Sequence, residues 1–188
     1  MEAFGAQAVG SATGVASLFL ISKLMLWWYR RRVSGLVLLK GKSTICKSLS
    51  SERLLFVDID EYLEKKEGYK EALEDKAKMM LLYTALRSDV DKMIRSYQKP
   101  VVFVSRHKQL LKILGIKKDK IHFVCASREA HKKSELLYNK PEEYAADEAE
   151  RLRLLRDFKD EKVKVFEALA DIADIVKKLF KVREDASF

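Results

Sequence analysis

Gly41-Lys42-Ser43-Thr44 stands between an apolar run, Leu36-Val37-Leu38-Leu39, and the helix-like stretch Ile45-Cys46-Lys47-Ser48-Leu49. A lysine and two hydroxyls behind a strand form the second half of the phosphate-gripping pattern G-x-x-x-x-G-K-[ST]. In the full pattern the glycines let successive backbone N–H groups curl around a phosphate. Here the first half is missing. Lys40 alone separates the expected strand from Gly41, and Gly35 is followed by strand residues, so it cannot open the loop. Only four glycines follow residue 34, at 35, 41, 68 and 115, and no other segment can supply the cradle. Charge-assisted hydrogen bonds contribute about 1.5–3 kcal/mol each, so losing two or three of them weakens phosphate binding by orders of magnitude. The same four residues also suit a plain strand-to-helix turn capped by Ser43 or Thr44. The lysine at that helix N-terminus would still attract a phosphate weakly.

Asp58 and Asp60 close a second apolar run, Leu54-Leu55-Phe56-Val57-Asp58-Ile59. The carboxyl edge of a strand is where α/β sheets place their ligands, but Asp60 equally suits the cap of a helix beginning at Glu61. A third run, Val101-Val102-Phe103-Val104, ends in Ser105-Arg106-His107, with no acidic residue beyond it to organise magnesium. His107, His122 and His131 lack the mutual spacing of a metal site. Cys46 and Cys125 are far apart and show no C-x-x-C pattern, which implies reduced thiols in core elements and a reducing compartment.

The formal net charge is +9, of which the first 32 residues hold +3 (Lys23, Arg30, Arg31 and Arg32 against Glu2). Such a balance favours acidic partners but is also common on plain solvated surfaces. The basic clusters Lys117-Lys118-Asp119-Lys120 and His131-Lys132-Lys133 are short and lack interleaved surface aromatics. Nucleic-acid binding, as a basic accessory protein, is therefore the weakest of the functional classes considered.

Residues 1–32 differ from the rest. Phe4 to Ser22 is 19 residues without a charge, and apolar character resumes after Lys23 through Leu24-Met25-Leu26-Trp27-Trp28-Tyr29 before Arg30-Arg31-Arg32. About 20 apolar residues suffice to cross a bilayer as a helix. An aromatic cluster followed by arginines matches an interfacial belt and a cytoplasmic-side stop. Residues 4–29 are thus expected to form a membrane anchor, with the body, 33–188, on the cytoplasmic side. A hydrophobic helix buried in a larger assembly and a targeting segment are the alternatives. Ala6, Gly10 and Gly14 form a small-residue row that permits close helix–helix approach, and so association with other subunits or self-association.

The elements that must position these groups alternate regularly. Strands are expected at Gly35–Leu39, Leu54–Ile59, Val101–Val104, Ile121–Cys125 and Val163–Phe166. Helices are expected at Ser43–Leu49, His107–Leu114, Pro141–Phe158 and Ala170–Phe180. From Asp60 to Gln98 two or three more are expected, with breaks near Gly68 and around Ser88-Asp89. Alternating strands and helices imply an α/β fold with a parallel sheet covered on both faces.

The succession of a strand, G-K-S-T, a helix, the strand F-V-D-I-D-E-Y-L, helices, V-V-F-V and I-H-F-V-C-A-S resembles the nucleoside-monophosphate and shikimate kinase group of P-loop kinases. Asn139-Lys140-Pro141-Glu142 with the arginines after it looks like their lid region, and the resemblance covers about residues 35 to 180. It implies a five-stranded parallel sheet of order 2-3-1-4-5. It also implies phosphate binding by Gly41, Lys42, Ser43 and Thr44, and magnesium held by Ser43, Asp58 and Asp60. Asp58, Arg128, Arg153 and Arg156, with Arg151 beside them, would serve the transfer step. A solvated helix face is the competing account of the arginines, since Glu142, Glu143, Asp147, Glu148 and Glu150 intersperse among them.

The reading that joins the clipped loop to the anchor is a catalytically degenerate, kinase-like module at a membrane, without cofactor, working through its surfaces. The main alternative is an active phosphotransferase using ATP and magnesium. If the small-residue row packs helices in the membrane, replacing Gly10 and Gly14 with Ile forces the backbones apart. Cross-linking of the membrane-bound protein should then drop sharply, and an unchanged yield would remove that role.

Overall fold

The computed structural model describes residues 24, 30–51, 53–97, 99–133, 141–159, 162–168 and 170–181. The expected N-terminal helix with Gly10 and Gly14, and Asn139 and Lys140 of the expected lid, lie outside the described residues. Among the described residues no helix is long and apolar enough to cross a membrane.

Five strands form one sheet: β1 (Val33–Leu38), β2 (Leu55–Asp58), β3 (Val101–Ser105), β4 (Ile121–Ala126) and β5 (Val163–Phe166). All pairings are parallel and the order is β2-β3-β1-β4-β5, as the resemblance implied. β1 lies in the middle, with Val33 opposite Val101 on one side and Gly35 opposite Ile121 on the other. Every residue of β3 is buried, which is why that strand reads as an unbroken apolar run and not an alternating one.

Side chains of a strand point alternately to its two faces, and the core divides accordingly. Val37, Val101, Phe103 and Phe123 pack on one face with Ile59, Leu86, Val90, Leu111 and Leu154. Leu36, Leu38, Val102, Val104 and Val124 pack on the other with Ile45, Leu49, Ile172 and Val176. The first face is covered by α2 (Ile59–Glu64), α4 (Lys76–Tyr97), α5 (Lys108–Ile113) and α7 (Pro141–Asp157). The second is covered by α1 (Lys42–Leu49) and α8 (Asp171–Phe180). Phe103 and Phe123 are fully buried, each contributing about 1.5–3 kcal/mol by leaving water. Helices therefore cover both faces, as expected.

Three local expectations are corrected. α4 runs for 22 residues without a break at Ser88-Asp89. Leu86, Val90 and Ile94 keep one buried face throughout, and the Asp89 carboxylate is paired with Lys66 and Lys92 instead of capping a new helix. The expected break near Gly68 does separate α2 from α3 (Tyr69–Ala72), but one short helix, α6 (Arg128–Lys133), was not anticipated. The start of α6 is held by Ser127, whose Oγ accepts from Ala130 N at 3.0 Å. Finally, Asp58 and not Asp60 caps α2, accepting from Asp60 N and Glu61 N.

The basic stretch Arg30-Arg31-Arg32 is fastened to the amino edge of the sheet. Val101 N donates to Arg32 O at 3.2 Å, Lys120 Nζ reaches Arg31 O, and Arg30 Nη2 meets Asp91 Oδ1 of α4 at 2.8 Å. α5 ends at Gly115, which has φ 81 and donates to Lys112 O, while Ile116 N donates to Leu111 O. This left-handed ending favours glycine. A Cβ there would also collide with the Arg30 guanidinium. Gly115→Ala should therefore cost about 2 kcal/mol, from left-handed strain and from displacing Arg30. In an Arg30→Ala background the cost should fall to about 1 kcal/mol, measured by denaturant unfolding of the four-protein cycle. Equal costs in both backgrounds would disprove the contact.

Candidate functional site

β1 feeds α1 on one face of the sheet, whereas its neighbours β3 and β4 feed helices on the other. The crevice at the carboxyl end of β1 is consequently the switch point where parallel sheets hold ligands. The connection there is very short. Leu39 and Lys40 follow the strand, Gly41 takes a left-handed conformation (φ 81, ψ 10), and the helix begins at Lys42. Ile45 N donates to Gly41 O at 3.0 Å, the first turn of a regular helix. No side chain caps α1, so the expected capping by Ser43 or Thr44 does not occur; both lie exposed on its first turn. Three residues, Leu39, Lys40 and Gly41, thus make up the whole connection from strand to helix.

Lys42 turns toward β2 and β3. Its Nζ lies 3.3 Å from Asp58 Oδ1 and makes a short contact with Asp60 Oδ2, and all three side chains are largely buried. Each carboxylate has further partners. Asp58 Oδ1 accepts from Asp60 N at 3.1 Å and Glu61 N at 3.2 Å. Asp60 accepts from Ser105 Oγ at 2.5 Å and from Arg106 N at 2.7 Å, and Ser105 Oγ accepts in turn from His107 N. Burying an ammonium between two carboxylates is tolerable only because the remaining lone pairs are satisfied in this way. The sequence suggested no acidic group beyond β3 to organise magnesium. In the fold, Asp60 reaches the end of β3 from the first turn of α2, which follows the neighbouring strand β2.

Of the expected site residues, Gly41, Lys42, Asp58 and Asp60 are brought together. Ser43 and Thr44 lie on the exposed side of the same turn. The arginines are dispersed. Arg128 is exposed at the start of α6, and Arg156 is exposed in the last turn of α7. Arg153 is paired within α7 to Glu150 at 2.7 Å and to Asp157 at 3.4 Å. Arg151 is buried on Glu148, its Nε 2.7 Å away, and that pairing holds the Glu148 carboxyl below its ordinary range. Among the described residues no three His, Cys, Asp or Glu side chains stand close enough to share a metal ion.

One residue that frames the crevice escaped the sequence reading. Arg106 donates its backbone N–H to Asp60 and extends its guanidinium to Asp147 of α7, so it straps the end of β3 to the helix across the crevice. Lys40 lies in the same field: burial lowers its pKa, Asp147 opposes that shift, and Arg106 reinforces it. The only sequence sign was an arginine directly after a buried strand.

On the β4 side of the strap is a cavity of about 190 Å³, lined by Leu38, Lys40, Val124, His131, Arg151 and Phe166 among others. Its wall contains Cys125, whose thiol burial pushes up to about 11. His131 is buried, stacked on Tyr144 at 4.8 Å between ring centres, and lies 3.1 Å from Glu148. Burial lowers its pKa, with Glu148 opposing and Arg151 reinforcing. Burial prevails because Glu148 already accepts two bonds from Arg151. The cavity is smaller than the roughly 300–1,000 Å³ usual for a drug-sized ligand.

Because Lys42 neutralises two buried carboxylates, Lys42→Ala should cost about 3 kcal/mol, a fall of roughly 6–12 °C in melting temperature for a domain of this size. Adding Asp60→Asn should restore part of the loss. A lysine kept only to meet phosphate would leave the melting temperature unchanged.

No protein-family model matches the chain, and no curated protein matches it significantly. What stands established is a five-stranded, all-parallel α/β sheet with helices on both faces and a lysine–dicarboxylate cluster at its switch point.

Proposed function

We propose that this chain is a kinase-like module that no longer transfers phosphate, held at a membrane by residues 4–29 with its body on the reducing side, and working through binding surfaces. The observation that carries this reading is the pairing of Lys42. In a working phosphate site the lysine meets the transferring phosphates, whereas here its ammonium has two carboxylates as neighbours, at the end of a turn too short to wrap an anion. Transition-state charge would meet too few fixed donors for efficient transfer. The dispersed arginines agree with this, since Arg153 is committed to Glu150 and Asp157.

One observation favours the competing reading of an ATP- and magnesium-dependent phosphotransferase. Lys42, Asp58 and Asp60 do converge at the carboxyl edge of the sheet, where such enzymes act. In that case Lys42 would leave Asp60 for a phosphate and the carboxylates would turn to magnesium, with Ser43 beside them.

Two measurements separate these readings. Phosphoryl transfer from labelled ATP to nucleoside monophosphates and small alcohols is expected to stay at background for the native chain, equal to Asp58→Asn. Magnesium-ATP is expected to leave the melting temperature unmoved, although a ligand at 100 times its dissociation constant would stabilise by about 2.7 kcal/mol. Turnover near one per second that vanishes in Asp58→Asn would overturn the proposal.

A further inference from the structure

α4 buries one face against the sheet through Leu86, Val90 and Ile94, and turns the other to solvent. That outer face is unusual for a solvated helix. Its first turns expose Met80 at 53% and Leu81 at 71%, and Leu73, just before the helix, is 61% exposed. Lys76, Lys78 and Arg87 are exposed around them. The helix has only two carboxylates and both are matched, Asp89 by Lys66 and Lys92, and Asp91 by Arg30. Apolar side chains at the centre with cations at the flanks form the pattern of a helix lying in a lipid headgroup layer.

Position agrees with chemistry. Arg30, the first residue of the basic stretch behind the hydrophobic segment, is ion-paired to Asp91 on this same helix. Asp91 is eleven residues beyond Met80, about 16 Å along a helix axis, so the segment joins the body at the far end of the same face.

We infer that the outward face of α4 docks on an anionic lipid surface, with Met80 and Leu81 entering the headgroup layer and Lys76, Lys78 and Arg87 meeting acidic headgroups. The inference rests on the membrane reading above and adds the face through which the body meets the bilayer. A nucleic-acid strand would use the cations but has no use for Leu81 and Met80, so lipid is the better match for both.

The test places a fluorophore at Leu81→Cys of the full chain in phosphatidylcholine vesicles with and without phosphatidylserine, both containing quencher-bearing lipid. Cys125 is buried, and Cys46 is replaced by Ser in every labelled protein, so the label goes to position 81. The expected result is quenching several-fold stronger with phosphatidylserine and weakened by salt. Reversing Lys76, Lys78 and Arg87 to Glu should reduce it by at least about tenfold, with the circular dichroism unchanged. A label at Val165→Cys, exposed on edge strand β5, should remain unquenched. Equal signals at positions 81 and 165, or none at 81 in protein that resists carbonate extraction, would overturn the docking face while leaving the anchor intact. Release by carbonate would instead overturn the anchor, and serine-lipid-dependent quenching at 81 in that released protein would still uphold the face. A label that responds to single-stranded oligonucleotide and not to vesicles would overturn the proposal.

Discussion

The Lys42 ammonium between Asp58 and Asp60 ties together the carboxyl ends of β1, β2 and β3. Parallel strands cannot be joined by tight hairpins, so their relative positions rest on ladder hydrogen bonds, helix packing and whatever crosses their ends. Here the crossing group is a largely buried charge. Taking ions out of water is costly, and the cost is recovered only when each lone pair has a donor. Asp58 meets that need by capping α2, and Asp60 by accepting from Ser105 and Arg106. Three loops therefore meet around one side chain. In the arrangement described, that side chain is committed to holding the fold.

From this cluster Arg106 carries the constraint onward. Its backbone belongs to the Asp60 network and its guanidinium to Asp147, so α7 is registered against the same sheet edge. Behind that strap the cavity is lined by groups already engaged with one another: Arg151 with Glu148, and His131 with Tyr144.

The other face of the molecule has the opposite character. Along α4 the two carboxylates are matched, while Lys76, Lys78 and Arg87 and the apolar Met80 and Leu81 are exposed. Arg30 bonds to this helix and fits against Gly115 only because that residue lacks a side chain. The basic stretch is thus built into the body at the amino edge of the sheet, opposite the edge that bears Lys42.

The sequence by itself determined what depends on neighbours along the chain. Unbroken runs such as Val101–Val104 signalled strands buried on both faces, and the single residue between the expected strand and Gly41 signalled a connection shorter than the full phosphate-gripping pattern. α4 was legible from its spacing, but its continuity through Ser88-Asp89 was not, because Asp89 finds its partner at Lys66, in the turn before α3. The site itself was decided only by the tertiary structure. Lys42 and Asp58 are 16 residues apart, Asp60 and Ser105 45, and Arg106 and Asp147 41. That Asp58 both caps a helix and meets the lysine, with Asp60 on its other side, depends on strand order and register, and a local pattern contains neither. A lysine after glycine looks the same whether it faces a phosphate or two aspartates, since the difference is made by chains that arrive from elsewhere in the sheet.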